Sequence, residues 1–177
     1  MSEQREGHSA AYERIRSGKT LGEILEVATS FEKAARDFYT ALIPQVSKNL
    51  RYLVEELAAE EQQHFDLFTG LANNPAIERQ ISERIQTPVE DHRFSDYVQL
   101  PDLGENPDDQ TILQYALGRE DAAMKQYREL AATTPPGPVH DLFEYLANEE
   151  TAHKRELEKL YYEIVHSGGP GSGISQT

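Results

Sequence analysis

Apolar residues recur at intervals of three and four positions in four separate stretches of the chain, and this spacing places side chains on one face of an α-helix. The predicted helices cover roughly residues 20–43, 47–72, 106–132 and 138–166. Each apolar stripe is interrupted near its middle by polar residues, which are Glu32 in the first, Glu61 and His64 in the second, Glu120 in the third, and Glu150 and His153 in the fourth. Same-face spacing therefore directs these six side chains into the core that the stripes build.

Residues at the helix ends predict an all-α architecture of two antiparallel hairpins joined by a long crossover. Thr20 and Glu23 form the capping-box pattern that begins a helix, and Pro107 at a first helical position favours a third helix that begins at Asn106. Short loops join the first helix to the second and the third to the fourth, which is typical of antiparallel pairs. The crossover is expected to hold a short helix after Asn74, with Ile77, Ile81 and Ile85 on one face, and then extended chain.

The length of 177 residues suits one domain with a substantial core. We expect a polar N-terminal segment over 1–19, a four-helix bundle over 20–166, and a flexible Gly- and Ser-rich tail over 167–177.

Composition narrows the classes of function. The 17 Lys and Arg residues against 31 Asp and Glu residues give a net charge of −14, which argues against nucleic acid and anionic membranes as partners. The chain has no cysteine, so it cannot itself supply thiolate chemistry, an iron–sulfur cluster or a rubredoxin-type centre. A polar N-terminus and the lack of a long apolar run predict a cytoplasmic protein.

The ligand-type residues occur as an internal repeat. Glu32 and Tyr39 recur 88 positions later as Glu120 and Tyr127, and Glu61 and His64 recur 89 positions later as Glu150 and His153. The two halves of the chain thus repeat one placement of acid, tyrosine and acid–histidine pair. This repeat predicts a pseudo-twofold axis through the site.

Four inward carboxylates would repel one another unless cations lie between them. One Glu from each of two helices, with a Glu-x-x-His from each of the other two, is the ligand set of di-iron and di-manganese carboxylate bundles. Two divalent ions would neutralise the four carboxylates. We expect Glu61 and Glu150 to bridge, Glu32 and Glu120 to be terminal ligands, and each metal to take one histidine. Iron or manganese suits these oxygen and nitrogen donors, with zinc an alternative occupant.

Each part of this set has an ordinary structural explanation when it is taken singly. A lone Glu-x-x-His on a helix is usually a solvated face, and the interpretation depends on six residues falling together on four stripes. Glu60 and Glu149 compete for the acidic role, but the stripe places Glu60 beside Gln63 towards solvent. The remaining histidines fall outside the repeat and are expected to be non-ligands: His8, His92, His140 and His166.

Tyr39 and Tyr127 follow their glutamates by seven residues, which is about 10 Å along a helix and too far for a shared metal. Two roles stay open for these tyrosines. Each phenol could donate a hydrogen bond to a ligand carboxylate on a neighbouring helix, or each could be an ordinary core residue.

The four motifs FEKAARDFY (31–39), EEQQH (60–64), REDAA (119–123, followed by Tyr127) and EETAH (149–153) resemble those of the ferritin-like superfamily, closest to its rubrerythrin branch. The resemblance covers about residues 20–166. It implies a ferritin-like four-helix bundle with a non-haem di-iron centre that handles dioxygen or hydrogen peroxide or oxidises ferrous iron. Two departures stand out: the chain lacks the cysteine-ligated rubredoxin module of rubrerythrins, and Ala123 replaces a second acidic ligand on the third helix.

Three functions follow from this resemblance and from the ligand set. The first is a rubrerythrin-like oxidoreductase that reduces peroxide or dioxygen, or oxidises ferrous iron, with an external electron donor. The second is iron binding and storage, and the third is a non-enzymatic bundle that takes zinc or calcium. The long crossover also allows a homodimer with exchanged hairpins.

Overall fold

The computed structural model describes residues 20–81 and 94–167. This part of the chain contains four long helices, α1 (Leu21–Leu42), α2 (Lys48–Ala72), α3 (Asp109–Thr133) and α4 (Pro138–Ser167). Two short 3-10 helices, η1 (Pro75–Ile77) and η2 (Phe94–Val98), lie in the crossover. The most extensive contacts join α1 to α2 and α3 to α4. The predicted all-α four-helix bundle is confirmed, while the segment 1–19, Ile85 and the tail after Ser167 lie outside the described residues.

The observed helix starts agree with the capping prediction at α1 and correct it at α3. The Thr20 side chain accepts a hydrogen bond from the amide of Glu23 at 3.3 Å. At α3 the carboxylate of Asp108 accepts from the amide of Thr111 at 2.8 Å, so the helix begins at Asp109 and not at Asn106. A short acidic side chain satisfies an exposed amide at a helix start, whereas Pro107 lies ahead of the helix.

The second part of the crossover is not wholly extended, contrary to expectation. Residues Phe94–Val98 form η2, and the Phe94 ring, only 1% exposed, stacks on Phe31 with centroids 4.1 Å apart. It also meets the Tyr127 ring edge-on at 5.5 Å. Phe94 is the most deeply buried of the described side chains in this turn, and Tyr97 and Val98 also pack against the core. Three apolar positions over a single turn are too short a pattern to predict a helix from the sequence.

The first part of the crossover is tied to the start of α1. The amide of Gly22, in the first turn of α1, donates to the carbonyl of Ile81 at 2.9 Å. A Cβ atom at position 22 would lie 2.6 Å from Cγ2 of Ile81, so only glycine permits this approach. The contact satisfies one of the amides that a helix start leaves without a helical partner.

The apolar core is divided into two clusters. One is built from the first half of α1, the second half of α2, the second half of α3 and the first half of α4, and includes Phe31, Phe68, Tyr127 and Phe143. The other is built from the opposite halves and includes Phe38, Leu50, Leu113 and Leu157. The polar interruptions of the four stripes lie between these clusters, at mid-height of the bundle. Within residues 20–81 and 94–167, no helix has the length and hydropathy required to cross a bilayer.

Candidate metal centre

Each helix delivers its ligand-type residues to the same level of the bundle. Glu32 lies near the middle of α1 and Glu120 near the middle of α3, while α2 contributes Glu61 with His64 and α4 contributes Glu150 with His153. All six side chains are buried, with at most 4% of each residue exposed. The structure therefore brings together every residue that the sequence predicted as a metal ligand.

These six residues form two overlapping groups of four. The His64 group consists of Glu32, Glu61, His64 and Glu150, and the His153 group consists of Glu61, Glu120, Glu150 and His153. Within each group, one ligand atom from every residue lies within 4.8 Å of the others. Glu61 and Glu150 are common to both groups, and they are the two carboxylates expected from the sequence to bridge.

The imidazole nitrogens face the carboxylates at close range. Nδ1 of His64 lies 3.3 Å from oxygens of Glu61 and of Glu150, and 3.5 Å from Glu32. Nδ1 of His153 lies 3.2 Å from Glu150 and 3.7 Å from Glu120. The two rings are nearly parallel, with centroids 5.9 Å apart. Each ring thus directs one nitrogen towards its own group.

Burial and mutual repulsion raise the pKa values of the two acids that both groups share. Burial, together with the charge of Glu32, raises the pKa of Glu61 well above its usual value. Burial, with the charges of Glu120 and Glu61, raises the pKa of Glu150 to about 8. Both effects disfavour the ionised acid in the absence of a cation.

The pKa of Glu120 is lowered, whereas the pKa values of both imidazoles are raised. Burial alone would raise the pKa of Glu120, but its contacts with Glu150 and His153 lower the pKa to about 2. Burial alone would lower the pKa of both imidazoles, yet the surrounding carboxylates raise the pKa of His64 and of His153 far above the ordinary range. The carboxylates therefore create a negative potential that favours protons or bound cations at this level of the bundle.

Several buried donor and acceptor atoms of the two groups lack hydrogen-bond partners, and this fits a site for divalent cations. Glu32 Oε2, Glu61 Oε2, Glu150 Oε1 and His64 Nδ1 are buried and make no hydrogen bond. Buried polar atoms without partners are unusual in folded proteins. Oxygen and nitrogen donors that face one another, with no sulfur, are the ligands that iron, manganese and zinc accept. A pair of dications would satisfy these atoms and balance the four carboxylates.

The two tyrosines form a reciprocal pair of hydrogen bonds across the bundle. The Tyr39 hydroxyl on α1 donates to Glu120 Oε1 on α3 at 2.6 Å, and the Tyr127 hydroxyl on α3 donates to Glu32 Oε1 on α1. Both tyrosines are at most 1% exposed. Of the two roles left open by the sequence, the observed contacts are those of donors to the carboxylates expected as terminal ligands.

Two residues beside the ligands were missed by sequence reasoning. Glu60 was interpreted as facing solvent, but its side chain is only 34% exposed and Oε2 lies 2.6 Å from Nε2 of His153. Arg119 is 1% exposed, and its guanidinium lies 4.4 Å from the Phe31 ring centroid and donates to the carbonyls of Phe31 and Tyr97. Neither contact could be predicted from the pattern of a single helix, because each partner lies on another element.

The other described positions singled out in the sequence contribute no ligand atom to the two groups. Ala123 is completely buried and offers no ligand atom where rubrerythrins are expected to carry an acid. His140 lies at the start of α4 beside Asp141 and Glu144, which are exposed, and His166 lies in the last turn of α4. His8 and His92 are outside the described residues.

Comparison with known proteins supports the assignment of the fold. The rubrerythrin family model matches residues 111–167, which cover nearly all of α3 and the whole of α4. Among solved structures, the chain is similar to the dodecameric thioferritin of the bacterial domain, the bacterioferritin-related protein from Bacteroides fragilis. That similarity has a TM-score of 0.61 at 23% identity, over 86% of this chain and 93% of the other. No curated protein sequence matches.

The chain has a ferritin-like four-helix fold, and its second hairpin matches the rubrerythrin family model. The resemblance read from the four motifs is confirmed, and the rubrerythrin match falls on the hairpin that contributes Glu120, Glu150 and His153. The ferritin-like bundle and its buried carboxylate–histidine groups together support a di-iron type of protein.

Proposed function

We propose that this ferritin-like chain is a non-haem di-iron oxidoreductase that reduces peroxide or dioxygen with electrons from ferrous iron. The observation that carries the proposal is the pair of ligand groups that share Glu61 and Glu150. Sharing two carboxylates would hold two cations close enough to act together on one small oxidant, and two ferrous ions would supply the two electrons that this reduction takes.

Iron is the proposed metal because the donors are four carboxylates and two imidazoles. Manganese accepts the same donors, and zinc occupies such sites when it is the metal offered. The rubrerythrin match over residues 111–167 favours iron among these. When bound, ferrous iron would supply two electrons that, with two protons, convert hydrogen peroxide into two water molecules.

The protein residues hold and orient this centre. Glu61 and Glu150 would bridge the ions, while Glu32 and Glu120 would each bind one ion and are fixed by the phenols of Tyr127 and Tyr39. Apolar clusters above and below the site exclude bulk water and strengthen the electrostatic contacts within it. Because the chain has no cysteine, re-reduction would require an external electron donor.

The test is anaerobic loading of metal-free protein with two equivalents of ferrous iron, followed by one equivalent of hydrogen peroxide. We expect both ferrous ions to be oxidised stoichiometrically in a rapid phase, followed by near-ultraviolet absorbance of the ferric product. Glu61→Ala should remove the rapid phase, and Glu149→Gln is the matched control that should retain it. Oxidation no faster than that of ferrous iron in buffer would refute the proposal.

A second function, iron storage, is favoured by one comparison. The similar structure from Bacteroides fragilis is described as a dodecameric thioferritin, and storage by a ferritin-like protein requires a closed shell of subunits. Sedimentation velocity and light scattering distinguish the two functions. A monomer or dimer would eliminate self-contained storage, whereas a dodecamer that retains more iron than two ions per chain would establish it. A homodimer with exchanged hairpins and a cytoplasmic location stay predictions from the sequence.

A further inference from the structure

The ring of His153 has a carboxylate close to each of its nitrogens, which distinguishes it from the other histidine of the centre. Nδ1 of His153 lies 3.2 Å from Glu150, and Nε2 lies 2.6 Å from Oε2 of Glu60, an ion-pair distance without hydrogen-bond alignment. Glu60 lies on α2 and His153 on α4, so the contact crosses between the two hairpins. A carboxylate on the outer nitrogen fixes the tautomer and the orientation of a metal-binding imidazole.

Glu149 occupies the equivalent position in the repeat but does not make the equivalent contact. Glu60 directly precedes Glu61 and lies four residues before His64, and Glu149 directly precedes Glu150 and lies four residues before His153. The ion pairs of His64 all run from Nδ1 to Glu32, Glu61 and Glu150. Between the described side chains of His64 and Glu149, no ion pair within 4.0 Å is formed. The outer nitrogen of His64 is therefore not held by that acid.

We propose that Glu60 is a positioning residue that makes the two metal positions unequal, because it pre-orients His153 so that the His153 group binds a divalent cation more tightly than the His64 group. This inference rests on the proposed di-metal function and deepens it. The ligand groups themselves are matched in type and number, so a difference in affinity must come from their surroundings. Substitution of such an outer carboxylate typically weakens metal binding by about 10- to 100-fold.

Arg119 is the rival influence on the same position, and its effect has the opposite sign. Its buried positive charge follows Gly118 and directly precedes Glu120, so it opposes a cation in the His153 group. The guanidinium, however, is turned towards the Phe31 ring and the carbonyl of Tyr97, whereas Glu60 contacts the ligand itself. If the arginine dominated, the His64 group would fill first, and that order would overturn the proposal.

The experiment is a titration of metal-free, full-length protein with cobalt(II), a redox-stable substitute for ferrous iron whose visible absorption reports its ligands. Calorimetry gives the two affinities, and His64→Ala and His153→Ala, each of which removes one position, show which group fills first. We expect two binding events separated by at least about tenfold, with the tighter one lost in His153→Ala. Glu60→Gln should weaken the tighter event by about tenfold and leave the other unchanged, and Glu149→Gln should change neither.

Several outcomes separate this inference from the proposed function. Two equal binding events, equal effects of Glu60→Gln and Glu149→Gln, or equal weakening of both events by Glu60→Gln would overturn the positioning role while leaving a di-metal centre intact. No cobalt binding by the unaltered protein would instead overturn the proposed function. Glu60→Ala leaves neither a carboxylate nor an amide at position 60, so it should weaken the tighter binding event more than Glu60→Gln does. Unchanged thermal unfolding of both metal-free Glu60 variants would show that the loss is local.

Discussion

The hairpin α1–α2 and the hairpin α3–α4 carry the same ligands at equivalent positions, yet the residues beside those ligands differ. Phe31 precedes Glu32 on α1, whereas the equivalent residue before Glu120 on α3 is Arg119. These two residues meet in the bundle, with the guanidinium 4.4 Å from the ring centroid. The comparison teaches that the two hairpins place the same acids and histidines alike while the residues beside them differ in size and charge.

The difference between Phe31 and Arg119 places a positive charge beside Glu120 and none beside Glu32. Arg119 is completely enclosed, and its Nε and Nη1 make no hydrogen bond. An enclosed cation without full hydrogen bonding is destabilising by itself, but here it partly offsets the carboxylates of the metal-free site. The two hairpins are therefore symmetric in ligand type and asymmetric in electrostatics, and substitutions at equivalent positions provide a direct test of that difference.

The largest expected effect comes from a ligand that both positions share. Glu61→Ala should weaken both binding events by more than about 100-fold, because even outer carboxylates contribute about 10- to 100-fold to metal affinity. Glu150→Ala should do the same, since it is the equivalent shared ligand. Titration with cobalt(II) followed by metal analysis after gel filtration gives the measurement. Retention of one tightly bound metal in either variant would mean that the carboxylate is not shared.

A smaller effect is expected from ligands that belong to one group only. Glu32→Ala should abolish the His64 group and Glu120→Ala the His153 group, so that each variant retains one metal per chain. The same titration should show which of the two events has gone. If either variant lost both metals, the two positions would not be separable, and the overlapping groups seen in the structure would not describe independent positions.

The stability of the metal-free protein should fall as pH rises, because the shared acids are buried. Glu150 has a folded pKa of about 8 against an ordinary value of 4.5, so the folded state holds the proton more tightly than the unfolded state. The stabilisation is complete below about pH 4.5 and is lost as pH rises through about 8. The raised pKa of both imidazoles acts in the same direction above about pH 6.5.

Urea denaturation of metal-free protein between pH 5 and 9 measures this dependence. Glu150→Gln cannot ionise, so it should reduce the loss of stability across that range, whereas Glu149→Gln should leave the dependence unaltered. A metal-free protein whose stability increased from pH 5 to 9 would contradict the burial of uncompensated acids at this site.

The smallest expected effect concerns the reciprocal phenols. Tyr39→Phe and Tyr127→Phe each remove one hydrogen bond to a buried carboxylate, and such bonds contribute about 1.5–3 kcal/mol. Because the two bonds join equivalent residues of the sequence repeat, we expect similar losses in the free energy of unfolding, measured in urea with metal bound. Losses that differ by more than about 1 kcal/mol would show that the asymmetry of the neighbours extends to the phenols.

Helical periodicity made most of the fold and the ligand cluster predictable from the sequence. Each ligand lies on an apolar stripe, and a stripe position such as Glu61 has one orientation in an amphipathic helix, towards the core. The repeat added independent support, because chance acids do not recur with the same spacing to a histidine.

Contacts that depend on how separate elements pack could not be predicted in the same way. Glu60 lies off the stripe and was assigned to solvent, yet it reaches His153 on another hairpin. Likewise, Arg119 would ordinarily be placed on a helix surface, but η2 covers it through Tyr97. A single helix pattern reports which face is buried, but it carries no information on which neighbour covers a residue at the edge of that face.

The crossed bonds of Tyr39 to Glu120 and of Tyr127 to Glu32 also bear on how such a chain could arise. A hairpin alone would possess a phenol without its acceptor and a carboxylate without its donor. Two copies of one ancestral hairpin, related by a twofold axis, would complete each other at both places and assemble the whole ligand set. The two hairpins of this chain stand where the two subunits of such a dimer would stand, and a single polypeptide allows each hairpin its own neighbours, such as Phe31 and Arg119.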